Sequence, residues 1–140
     1  MRRPAEVKEK EDREEIMNQP LQTVDLTSKK HVPVIDVTKK DKLFQINVTI
    51  GKGKVHTNTN SHHISWIKIY FLPAGERFPY MIGKFDFTAH GILDKGVDSD
   101  AIYTHPEVVC FLRTGKPGKL HVTSYCNVHG SWTGTAELSD

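Results

Sequence analysis

From residue 31 onward the apolar residues of this chain fall on every second position, and that period of two limits what it can fold into. In "KLFQINVTI", Phe44, Ile46, Val48 and Ile50 share one face, while Gln45, Asn47 and Thr49 occupy the other. "SWIKIYF" groups Ile67, Ile69 and Phe71, "MIGKFDFT" aligns Phe85 with Phe87, and "KLHVTSYC" aligns Leu120 with Val122. "VVCFLRT" alternates Val109 with Phe111 around Cys110, which reads as core filler. "GKGK", "LPAGERFP", "GVDSD" and "TGKPGK" lie between these runs and carry the Gly, Pro and Asp that strand interiors avoid. The pattern predicts an all-β domain, an immunoglobulin-like antiparallel β-sandwich of about seven strands spanning residues 25–140.

Residues 1–24 differ in character. They are densely charged with mixed signs, and large apolar side chains are scarce there. Such a segment cannot bury enough surface to offset the entropy of ordering, so a mobile or weakly docked extension is expected. The segment has no apolar stretch of the kind a secretory leader needs, and no run in the chain approaches a membrane span. A net charge of +2 gives no basis for nucleic-acid binding. With only Cys110 and Cys126, the chain is not a disulfide scaffold, and a reducing cytoplasmic setting is expected.

The eight histidines are informative through their placement. His31 precedes Val-Pro in "KKHVPVIDV"; His56, His62 and His63 punctuate "VHTNTNSHHISW"; Cys126 and His129 sit in "SYCNVHGSW". Taken singly, each has an ordinary reading as a satisfied ring or a buried small hydrophobe. His90, His105 and His121 keep that reading. The three segments together lie at strand ends or loops, where a sandwich gathers distant residues on one rim. Imidazole nitrogens with a thiolate suit iron, copper or zinc, whereas calcium and magnesium take oxygen. The two-residue spacer between Cys126 and His129 lets one tight turn present both groups to one ion.

"KKHVP", "HTNTNSHHISWIKIYFLP" and "SYCNVHG", in that order, resemble superoxide reductase, the family of neelaredoxin and the iron-binding domain of desulfoferrodoxin. "GKFDFTAHG" and "YTHPEVV" extend the resemblance from about Lys30 to about Trp132. It implies one mononuclear non-haem iron, four histidines in a plane and an axial cysteine thiolate. Carried onto this chain, the ligands would be His31, His56, His62 and His129, with Cys126 axial. His63 would be excluded, because adjacent strand residues point to opposite faces. The implied reaction is one-electron reduction of superoxide to hydrogen peroxide. Lys30, matching the family's lysine, would steer the anion and donate a hydrogen bond to it; outside that motif it would read as a solvated surface charge.

The family commonly carries Glu-Lys-His at this point, whereas this chain reads Ser28-Lys29-Lys30-His31. A protonated lysine is not a ligand, so the carboxylate that closes the sixth position in relatives has no counterpart at Lys29. The sequence contains no Cys-x-x-Cys pair, which excludes a rubredoxin-like second iron centre and requires an external electron donor. The resemblance implies a rubredoxin-like donor and a homo-oligomer, commonly a tetramer. The competing reading is a blue-copper electron carrier. That site needs two histidines, a cysteine and commonly an axial methionine. Met1, Met17 and Met81 are the only methionines, and none follows the Cys126–His129 turn. A structural zinc site would close every coordination position and leave the lysine without a purpose.

Overall fold

The computed structural model describes residues 4–10, 30–51, 53–97 and 100–139. Seven long strands follow one another: β1 (Pro33–Lys40), β2 (Leu43–Ile50), β3 (Ile64–Pro73), β4 (Tyr80–Asp86), β7 (Glu107–Arg113), β8 (Gly118–Cys126) and β9 (Gly130–Leu138). A small hairpin, β5 (Ile92–Leu93) with β6 (Gly96–Val97), interrupts the series. The long strands form two antiparallel sheets, ordered β1-β2-β7 and β4-β3-β8-β9. This is the strand order of an immunoglobulin-like seven-strand sandwich. Of the charged extension expected over residues 1–24, residues 4–10 form a short exposed helix, and the remainder lies outside the described residues.

The core is built from the alternating faces. Phe44, Ile46, Val48 and Ile50 of β2 are buried against Ile67, Ile69 and Phe71 of β3 and Leu120 and Val122 of β8. Each such aliphatic or aromatic side chain contributes about 1.5–3 kcal/mol through removal from water. Strand β7 departs from the simplest reading. Val108 is buried and Cys110 and Leu112 pack against the core, whereas Val109 and Phe111 face solvent, 49% and 62% exposed. Five consecutive apolar residues, Val108 to Leu112, fit either parity. The register with β2, which sets Ile46 opposite Cys110 and Val48 opposite Val108, decides it.

Antiparallel pairing also decides where the loops go. Pro33 pairs with Ile50, Ile64 with Cys126, and Cys126 with Gly130. The start of β1, the end of β2, the start of β3, the end of β8 and the start of β9 therefore meet at one end of the sandwich. His31, His56, His62, Cys126 and His129 all belong to those five chain ends.

Candidate metal centre

The turn between β8 and β9 is a three-residue hairpin loop, Asn127-Val128-His129, closed by Gly130 at φ +85°. Loops of this length need a left-handed residue at that point, which glycine adopts without strain. The turn brings the His129 backbone N–H to Cys126 Sγ at 3.3 Å and the His129 ring Nδ1 to 3.7 Å from the same sulfur. Cys126 itself is completely buried at the top of the core.

On the other side, Gly51 (φ +92°) ends β2 and donates its N–H to Val32 O at 3.1 Å. A side chain at Gly51 would press on the Lys30 carbonyl at 3.0 Å and collide with the Lys54 carbonyl. That close approach joins the His31 segment to the loop that carries His56. His31 is further held by Trp132, whose ring lies nearly parallel to it at 4.7 Å. The indole was not singled out by the sequence; its placement two residues beyond Gly130, on a buried position of β9, carried the only hint.

Four imidazoles close into a circuit. Ring centroids are separated by 5.0 Å for His31–His56, 4.9 Å for His56–His62, 5.0 Å for His62–His129 and 4.7 Å for His129–His31. Each neighbouring pair meets edge to face, which aims ring nitrogens inward rather than stacking the rings. Donor atoms of His31, His56, His62 and Cys126 all lie within 4.8 Å of one another. His129 Nδ1 joins them, 3.1 Å from His31 Nε2. His31 and His56 are buried, His62 is half-buried and His129 is exposed, so the cluster opens toward solvent on the side of His129.

The protonation pattern fits a cation. His56 Nδ1–H donates to the Thr57 carbonyl at 2.6 Å, which leaves the lone pair on Nε2. That Nε2, and the Nε2 of His62, are buried without a hydrogen-bond partner. Two buried ring nitrogens left without a partner, on residues whose donor atoms lie within 4.8 Å of one another, are costly unless something between them satisfies them. Burial, reinforced by the neighbouring imidazoles against the Thr57 hydrogen bond, pushes His56 down to about 4. Burial and then the rings of His129, His31 and His63 lower His62 as well, with the Lys30 charge adding to them. Both rings are therefore neutral, with lone pairs available, near pH 7.

The other candidates separate cleanly. His63 turns away from the cluster and stacks on His90 with centroids 3.4 Å apart. His105 is exposed beside Glu107, and His121 donates from Nε2 to Thr133 Oγ1 at 2.6 Å on the outer face of its sheet. Lys29 lies outside the described residues. Among the described residues no helix is long and apolar enough to cross a membrane.

Comparison with known proteins gives this arrangement a context. The desulfoferrodoxin family model matches residues 23–135. The superoxide reductase of Pyrococcus furiosus is 41% identical over 123 residues, covering 88% of this chain and 99% of that protein. Neelaredoxin of Megalodesulfovibrio gigas is 44% identical over 114 residues, covering 79% and 88%. The solved structure of reduced superoxide reductase (neelaredoxin) from Archaeoglobus fulgidus superposes with a TM-score of 0.80 at 43% identity, covering 86% of this chain and 98% of that one. With a match that runs from residue 23 to residue 135 and includes the histidine–cysteine end, the chain belongs to the desulfoferrodoxin family, alongside the superoxide reductases and neelaredoxins.

Proposed function

We propose that this protein is a superoxide reductase that uses one iron ion, held by His31, His56, His62 and His129 with Cys126 as the thiolate ligand. The reaction consumes superoxide, one electron and two protons and yields hydrogen peroxide. The observation that carries the reading is the closed circuit of four imidazoles with the sulfur of Cys126 within reach of all of them. Iron in that donor set would supply the Fe2+/Fe3+ couple on which a one-electron reduction depends. Copper of the blue type would use two of these histidines and leave two more unexplained; Met81 is exposed on β4, away from the loops that carry the donors.

The chain's own residues would do the following. Neutral imidazoles add no negative charge, so the anionic thiolate of Cys126 would be the sole protein charge against a divalent ion, leaving the site positive toward an anion. The His129 N–H that points at Sγ restrains the electron donation of the thiolate and fixes its direction. Lys30 lies close enough to His62 to bear on its protonation, and its ammonium would attract superoxide toward the open side and donate a hydrogen bond to it. The electron comes from a separate donor of the rubredoxin type, and self-association into a tetramer is the accompanying expectation. Stopped-flow mixing of the reduced, iron-loaded protein with superoxide tests the proposal. Stoichiometric bleaching of superoxide with one peroxide formed per iron supports it; disproportionation with oxygen release at the same rate sinks it.

A further inference from the structure

We propose that Asn127 is a positioning residue that sets His62 against the Cys126–His129 turn. The inference rests on the reading of His62 as a metal ligand. Asn127 occupies the first position of the β8–β9 loop, and both ends of its amide are engaged by a segment more than sixty residues away. Its Oδ1 accepts the His63 backbone N–H at 2.8 Å, and its Nδ2 donates to the Ser61 carbonyl at 2.9 Å. Its own backbone N–H donates to the His63 carbonyl at 3.2 Å. Three hydrogen bonds thus straddle residue 62 on both sides, from a residue adjacent in sequence to Cys126.

The segment they grip has its own shape. Thr59 N–H donates to the His62 carbonyl at 2.9 Å, and His62 N–H donates to Thr59 Oγ1 at 3.1 Å. His63 Nδ1–H donates to the Thr59 carbonyl at 3.0 Å, and its ring stacks on His90, which is anchored through Nε2–H to the Phe87 carbonyl at 2.6 Å. The loop is therefore a preformed unit with a fixed outer wall. What remains is its placement relative to the sulfur and to His129, and among the described residues the Asn127 amide makes that connection through side-chain hydrogen bonds. A glutamine would overshoot, and an aspartate would set a carboxylate oxygen against the Ser61 carbonyl. An asparagine supplies donor and acceptor at the reach this gap requires.

The test is a double-substitution cycle on the full chain loaded with Co2+, a metal whose thiolate band reports the Cys126 bond. The readouts are that band and the rate at which excess chelator removes the metal. Asn127→Ala should release Co2+ roughly 10- to 100-fold faster than the parent, as loss of an orienting partner does at metal sites. The thiolate band should persist. In a His62→Ala background the same change should add almost nothing, because the residue it positions is gone. Equal acceleration in both backgrounds, or none in the parent, overturns the proposal. If His62→Ala by itself leaves release unchanged, the ligand reading falls and the clamp falls with it; if His62→Ala accelerates release and Asn127→Ala does not, only the clamp falls. Should Asn127→Ala not fold, Asn127→Asp, which keeps the acceptor for His63 N–H, goes through the same cycle with the same expectation and the same refutation.

Discussion

In the metal-free protein, acid should weaken the fold through His56. Burial, helped by His31, His62 and His129, lowers this ring from its ordinary 6.5 to about 4, even with the opposing hydrogen bond to Thr57. A group that holds its proton less tightly when folded favours the unfolded chain wherever only the latter is protonated. Above about 6.5 the ring is neutral in both states and adds no pH dependence. Between about 6.5 and about 4 the unfolded chain takes up the extra proton, so stability falls as the pH falls; below that window both states are protonated and the loss is complete. At about 1.4 kcal/mol per pH unit, the window is worth at most about 3.5 kcal/mol. That is a sizeable part of the roughly 5–15 kcal/mol that holds a typical domain together. Urea unfolding of the metal-stripped protein at a series of pH values from about 7.5 to about 4 measures it. Carboxylates titrate in the same range, so the comparison that matters is with His56→Ala, which should show a shallower fall over the window. Parallel curves for parent and variant would refute the argument.

Two further perturbations probe other parts of the account. Gly130→Ala meets no atom within contact distance, so its cost is the left-handed backbone alone, about 1–2 kcal/mol, whereas Gly51→Ala adds a collision with two carbonyls and should cost more; thermal unfolding of both metal-free variants should rank them in that order, and the reverse order contradicts the geometry. Lys30→Ala should slow the encounter with superoxide and flatten its dependence on ionic strength while iron content stays at the parent level; an unchanged rate and salt dependence would reduce Lys30 to a surface charge.

The sandwich was legible in the sequence because β2 alternates along its length, and β3 and β8 alternate over Ile67–Phe71 and Leu120–Val122, and alternation admits one parity. Strand β7 was less so, since "VVCF" offers apolar side chains to both faces and only pairing with β2 exposes Val109 and Phe111. The clustered donors were readable for a related reason. His31, His56, His62, Cys126 and His129 sit at strand ends, and antiparallel order sends those five ends to one rim. The connections that hold the cluster were not readable. Asn127 in a turn looks like any turn asparagine, and Gly51 like any loop glycine, because their partners Ser61, His63 and Lys30 are distant in sequence or reached only through backbone atoms. His90, read as an ordinary histidine, backs His63 and so belongs to the wall of the site. Trp132 was passed over because stacking on His31 depends on the packing of β9, which no local pattern reports.

X-ray absorption at the iron edge of the reconstituted, reduced protein tests the central claim most directly. One iron per chain, with a single sulfur and about four imidazole nitrogens in its shell, is the predicted result. An iron shell of nitrogen and oxygen alone, with no sulfur, would contradict it.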